Sequence, residues 1–154
     1  MHRSLFLSIA SAAALLATTS GVASAQAMKA GGGIKLADVA GTWESKAAVG
    51  PNDSIVVNSS LTATADKSGW SMKFTSGNPV PVRVLAVAGD SVVTEAGPYP
   101  SILRPGQTVN LLHMVGHYKG NSMTGTFDAY YQSGGVIHGK IEATRAASAG
   151  AAKK

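Results

Sequence analysis

The 154-residue chain has no cysteine. Disulfides, thiolate metal sites and thiol nucleophiles are excluded together, and stability has to come from packing alone. Charge is sparse as well, at 14% Asp, Glu, Lys and Arg, and aromatic residues make up only 6%. The basic residues are scattered, apart from Lys153-Lys154 at the end. They form no basic stripe interleaved with aromatics, so no nucleic-acid partner is expected. The apolar stretch Leu5 to Ala17 falls short of the ~20 strongly apolar residues that a membrane helix needs. Catalytic patterns are missing too: there is no HExxH and no phosphate loop. Gly120-Asn121-Ser122-Met123-Thr124 lacks the second glycine of a nucleophile elbow and falls in a hairpin. The acidic residues lie scattered along strand-like segments, as on solvated sheet faces. The reading is of a chain that is not an enzyme and carries no metal and no cofactor.

Met1-His2-Arg3, the apolar stretch and Ala23-Ser24-Ala25 stand in the order of a secretory signal peptide, with cleavage expected after Ala25. An extracytoplasmic protein, periplasmic or secreted, is therefore expected, and a cysteine-free exported chain points to a bacterial source. Removing residues 1–25 leaves 129 residues, enough for one domain with a modest core. Arg3 leaves with the signal, so 12 Lys and Arg face 8 Asp and Glu, a net charge of +4 that speaks mainly for solubility. Residues 26–35, with Gly31-Gly32-Gly33, read as a flexible leader, 36–145 as the folded domain, and the Ala/Ser/Gly/Lys segment 146–154 as a disordered tail.

Within 36–145 the pattern is all β. Eight candidate strands, approximately 41–48, 54–64, 69–75, 81–88, 91–96, 107–118, 122–131 and 136–145, are separated by turn residues such as Gly50-Pro51-Asn52-Asp53, Ser76-Gly77-Asn78-Pro79, Gly89-Asp90 and Gly120-Asn121. Short turns imply antiparallel neighbours, and hence a single eight-stranded up-and-down barrel. The one longer connector, Gly97 to Gly106, is stiffened by three prolines. Leu36 to Ala40 forms one helical turn ahead of the first strand, with Asp38 placed to cap it.

Period-two alternation assigns the faces. Trp70, Met72 and Phe74 share one side of the third strand, while His138, Lys140, Glu142 and Thr144 mark the solvent side of the last. Trp43 and Arg145 both fall on the inward side. A three-residue turn at Ser133-Gly134-Gly135 pairs Tyr131 with Ile137 and Phe127 with Ile141, placing Met123, Gly125, Phe127 and Ala129 inside. A two-residue turn at Gly89-Asp90 pairs Val84 with Glu95 and Arg83 with Ala96, so either Arg83 or Glu95 is expected to enter the barrel. A buried charge demands a partner, which makes that residue the candidate polar anchor of an otherwise apolar pocket. His113 and His117, four apart on one strand face, stand about 13 Å apart, too far to share a metal. Their facing follows the next loop: outward for two residues, inward for three.

A Gly-x-Trp at Gly41-Thr42-Trp43 opening the first strand, eight antiparallel strands in series and Arg145 ending the last resemble the calycin superfamily of lipocalins, fatty-acid-binding proteins and avidins. The resemblance implies a barrel in which Trp43 closes one end and Arg145 packs across it, bonding to nearby backbone carbonyls. It also implies a small apolar ligand inside. The candidate ligand-binding residues are Trp70, Met72, Phe74, Met123, Phe127 and Tyr131, with Arg83 or Glu95 as anchor; structural closure falls to Trp43 and Arg145. An eight-stranded barrel has room for one small ligand or is filled by its own side chains, so a filled-core structural or protein-interaction domain is the alternative. Insertion into a membrane as a barrel is not expected, because such barrels need strands of about 9–11 residues with aromatic girdles. Oligomeric state is left open.

Overall fold

The computed structural model describes residues 32–147. The expected signal peptide, most of the leader and the tail from residue 148 lie outside the described residues. The chain runs through α1 (Leu36–Val39), β1 (Gly41–Val49), a 3-10 turn (Pro51–Asp53), β2 (Ile55–Ala63), β3 (Ser71–Phe74), β4 (Val80–Ala88), β5 (Ser91–Ala96), β6 (Tyr99–Pro100), β7 (Thr108–Lys119), β8 (Ser122–Tyr131) and β9 (Val136–Arg145). Strands β1 to β5 pair in series, β5 pairs with β7, β7 to β9 continue, and β9 returns to β1, all antiparallel. This is the expected closed eight-stranded up-and-down barrel. The ninth strand, β6, is a two-residue addition paired with Thr108 and Val109 of β7.

The tight turns follow from glycine. Gly89 and Gly120, with φ of 59° and 60°, stand first in two-residue loops, where a type II′ turn requires positive φ. Ala88 therefore pairs with Ser91 and Lys119 with Ser122. The second of these pairings turns His113 and His117 outward, and Leu112, Met114 and Tyr118 inward, where they are buried. The loop after β8 is also three residues long but lies one residue earlier than expected. Tyr131 N–H donates to Gly135 O at 2.8 Å, enclosing Gln132-Ser133-Gly134, with Gly134 (φ 97°) in the final, left-handed position. Phe127 consequently pairs with Gly139 and Ala129 with Ile137. The shift is by two residues, so every side chain keeps its face.

A one-residue slip has a larger effect in β4. Ala86 pairs with Val93 but Val84 with Thr94, leaving Leu85 as an extra, outward residue. The bulge reverses the parity of the strand. Val80, Val82 and Val84 face the core before it and Val87 after it.

By topology, the lower end of the barrel holds α1, the β2–β3 loop and both two-residue turns. The upper end holds the β1–β2, β3–β4, β5–β7 and β8–β9 connections. The lower end is also where the chain enters: Ile34 N–H donates to Gly89 O at 2.7 Å, and a Cβ on Gly33 would lie 2.7 Å from that same oxygen, so only glycine passes. The wall is thinnest between β3 and β4, where only two residue pairs match, Ser71 with Pro81 and Met72 with Val80. Pro79 and Pro81 have no N–H to donate there.

Candidate functional site

The interior is closed below by a stack of three side chains. Trp43 is 0% exposed and donates its Nε1–H to Val39 O at 2.8 Å. The Arg145 guanidinium lies 4.4 Å from the Trp43 ring centroid, donates to Asp38 O at 2.6 Å and to Ala40 O, and reaches Asn121 Oδ1 at 3.1 Å. Tyr118 also meets the indole in an edge-to-face contact, with centroids 5.1 Å apart and planes at 81°. Burial pushes the Tyr118 hydroxyl up to about 12. The short helix exists to present these carbonyls, and Asp38 fastens it by accepting the Lys35 amide at 2.8 Å. Trp70 closes the same end from the β2–β3 loop, donating to Asp66 O at 2.8 Å and Thr64 O at 3.2 Å.

Above this plug, glycine does not leave the space that its lack of a side chain suggests. The Phe127 ring occupies the position a Gly139 Cβ would take, and Val115 O fills that of Gly125; within the plug itself, Arg145 fills that of Gly41, at 2.9 Å. The free volume lies elsewhere. A cavity of about 50 Å³ occupies the upper half of the barrel, its wall including Ala47, Val57, Phe74, Leu112, Phe127 and Ala129. A second void of about 20 Å³ lies below it, against Leu61, Val92, Tyr118 and Met123. Met72, Met114 and Ile141 border both and form the partition between them. Among the described residues all three methionines are therefore inside the barrel, and methionine is the most adaptable of core side chains. The polar atoms of the interior are few. Ser45 and Ser59 pair with each other at 2.6 Å. Tyr99 is buried as a residue, while its hydroxyl, which makes no hydrogen bond to another described residue, keeps access to open space, and burial first, then Tyr131, raises its pKa.

The connection between β6 and β7 covers the mouth. Arg104-Pro105-Gly106-Gln107 is a type II turn, with Pro at the second position, Gly106 at φ 81° and a 3.0 Å bond from Gln107 N–H to Arg104 O. Ser101 N–H donates to Gln107 O at 2.9 Å and closes the base of the loop. On one flank, between this loop and the proline-weakened β3–β4 seam, lies an open vestibule of about 630 Å³ bordered by Phe74, Pro79, Pro81, Pro98 and Tyr99. On the other flank a groove of about 470 Å³ runs past Val49, Ile55, Val56, Leu103 and Ile137.

Of the residues expected to line a pocket, Met72, Phe74, Phe127 and Tyr131 border the upper cavity, Met123 borders only the lower void, and Trp70 borders neither. Arg83 and Glu95 correct the expectation outright, because neither enters the barrel. The Leu85 bulge makes them direct cross-strand partners on the outer face, where they form an ion pair. That pairing holds the Glu95 carboxyl below its ordinary value of 4.5, with Arg83 the largest cause. They begin an outer row continuing through His113, Asp128 and His138 on successive strands, with His113 Nδ1 3.6 Å from Glu95 Oε1. Sequence reasoning missed Tyr99 and the Ser101–Leu103 segment, whose position over the mouth no strand pattern could reveal.

One outer cluster brings together residue types used in acyl transfer. Ser91 Oγ lies 2.8 Å and Asp90 Oδ1 3.1 Å from His117, and the His117 contact is the largest cause holding the Asp90 carboxyl below its ordinary range. Both contacts are to the same ring nitrogen, Nδ1. A triad needs serine and carboxylate on opposite nitrogens, so this arrangement is a hydrogen-bonded surface corner at the Gly89-Asp90 turn.

No protein-family model, curated protein or solved structure matches the chain.

Proposed function

We propose that the protein is an exported, calycin-like barrel that holds one small apolar molecule in the upper half of its interior. The observation that carries this reading is the cavity itself: an apolar-walled space beneath the mouth of a barrel whose other end is plugged by Trp43, Tyr118 and Arg145. The calycin resemblance is supported by the serial eight-strand pairing and by the Arg145 stack. Export rests on the ordered signal features ending at Ala25, which N-terminal sequencing of extracytoplasmic protein tests by returning Gln26. A periplasmic or secreted bacterial setting follows from it.

Size sets the terms. The cavity of about 50 Å³ is smaller than the roughly 150 Å³ that admits benzene. The void of about 20 Å³ beneath does not close that gap even when joined to it, so uptake needs the Met72 and Met114 side chains to swing out of the partition and free their own volume as well. With Arg83 and Glu95 outside, Tyr99 is the polar handle, its hydroxyl free to bond a ligand at the cavity wall. The filled glycine clefts favour the second reading, a scaffold with a packed core acting through its surface.

Titration with an uncharged naphthylamine dye separates the two. Binding at one dye per chain, with enhanced and blue-shifted dye emission, is expected for the wild type. Ala129→Leu, which puts a side chain into the cavity, should weaken it by at least about tenfold. A wild-type barrel that takes up no dye establishes the filled scaffold instead.

A further inference from the structure

The loop over the mouth is fastened on one side only. Every hydrogen bond between the described residues of 99–107 and the rest of the barrel goes to β7, β8 or the β8–β9 loop. Tyr99 pairs with Val109, Ser101 Oγ meets Tyr131 Oη at 2.9 Å, and Ser133 Oγ donates to Gln107 Oε1 at 3.2 Å. Arg104 lies over the Tyr131 ring at 4.7 Å, in space that a side chain on Gly135 would fill, since a Cβ there would be 2.8 Å from Arg104 Nη1. Tyr131 thus holds the loop twice, by its hydroxyl and by its ring. Ser101 Oγ also accepts the Arg104 amide at 2.9 Å, so the same contact ties the latch to the turn behind it.

Toward β1, β2 and β3 no hydrogen bond holds the loop among the described residues. That is the side on which Ile102 projects. Ile102 borders the upper cavity, the vestibule and the groove at once, and among the residues lining these spaces no other does so. It is also 42% exposed, unusual for a large apolar side chain that touches an interior cavity. Ile102 is therefore the side chain shared by about 50 Å³ of interior and two openings of about 630 and 470 Å³, with Phe74, Tyr99 and Ser101 completing the wall toward the vestibule and Val49, Val57 and Leu103 that toward the groove.

We propose that residues 101–107 are a latched lid, with Ile102 as the stopper of the barrel mouth and Tyr131 as the latch that keeps it shut. The proposal rests on the interior-binding reading for its purpose, but the latch exists whether or not a ligand does. Tyr131 is a positioning residue here: it controls access by holding Ser101 and Arg104. The lid swings on the β7 side and opens toward the β3–β4 seam, where the prolines leave the wall thinnest.

The test uses the mature protein, the same naphthylamine dye, and two variants that break the Ser101–Tyr131 hydrogen bond from opposite ends, Tyr131→Phe and Ser101→Ala, the second also releasing the Arg104 amide. In stopped-flow mixing, the rate constants for dye uptake and release are each expected to rise about fivefold in Tyr131→Phe, the change in open-state population worth one hydrogen bond, and by more in Ser101→Ala, which loses two. The double variant should add little to Ser101→Ala, since both remove the Ser101–Tyr131 contact. A ligand-independent readout comes from relaxation dispersion of the Ile102 methyl group, where exchange with a minor state should increase in both variants. Unchanged rates and unchanged Ile102 exchange overturn the lid while leaving binding intact. Increased Ile102 exchange in a protein that takes up no dye leaves the latch standing and overturns the binding reading.

Discussion

Arg145 and Trp43 lock the lower end of the barrel as one unit, the guanidinium lying 4.4 Å over the indole while bonding to the carbonyls of Asp38 and Ala40 at the end of α1. The two residues are direct partners across the seam where β9 closes on β1, so the first and last strands are joined by side chains as well as by backbone. Planar, multi-donor geometry suits arginine to this position: two nitrogens bond carbonyls while the face stays on the ring.

Replacing that side chain should therefore loosen closure. Arg145→Ala strands the Asp38 and Ala40 carbonyls and uncovers a residue that is otherwise fully buried, and is expected to cost on the order of 2 kcal/mol. Arg145→Lys should recover only part, because a single ammonium cannot serve both carbonyls and stack. Urea denaturation measures both, and an unchanged midpoint in the alanine variant would show that the seam closes without this pair.

A second prediction concerns the bulge. Leu85 is the one residue of β4 between Val84 and Ala86 with no partner on β5, so its deletion makes Val84–Thr94 and Ala86–Val93 consecutive pairs, with Val82, Val84 and Val87 still inward and Arg83 still opposite Glu95. Deletion of Leu85 is therefore expected to cost no more than about 2 kcal/mol, from loss of the local bend, with the cooperative thermal transition followed by circular dichroism retained. Loss of that transition would mean that the bend at the bulge, and not the pairing alone, is needed to close the barrel.

These cases also mark how far the fold was legible. The strand positions and most inward faces follow from alternation and from turns that need glycine, as at Gly89 and Gly120, because those signals are local. The Leu85 slip is not visible in Val80-Pro81-Val82-Arg83-Val84-Leu85-Ala86-Val87-Ala88, since from Val84 onward the strand is apolar on both parities and no change of pattern marks the extra residue. The β8–β9 register was misplaced by two because Gly134 and Gly135 offer adjacent glycines and only one takes the left-handed place. For the candidate site, Met72, Phe74, Phe127 and Tyr131 were readable from their strands. Tyr99 and Ile102 were not, because their place over the mouth depends on how a proline-rich connector folds back across strands distant in the chain. Free volume was the least legible property: Gly139 has no side chain, yet the Phe127 ring takes the space one would fill.

The last prediction is a loss of stability at high pH. Tyr118 sits under the Trp43 edge, and burial raises its hydroxyl from 10 to about 12. An acid whose pKa is raised by folding stabilises the native state fully while the unfolded chain also keeps its proton, below pH 10. That contribution is lost as the pH rises from 10 toward 12, because the unfolded chain ionises first. Two units correspond to roughly 2–3 kcal/mol. Tyr99, shifted upward by its own burial, acts in the same direction, so the alkaline fall should be steeper than one tyrosine alone produces. Tyr118→Phe keeps the edge-on ring contact with Trp43 and removes the titration. Its stability, measured by urea denaturation at intervals between pH 9 and 11.5, should decline more gently than that of the parent, and Tyr99→Phe added to it should flatten the limb further. Superimposable curves for parent and Tyr118→Phe would show that the hydroxyl reaches water in the native barrel, contrary to the buried plug that closes its lower end.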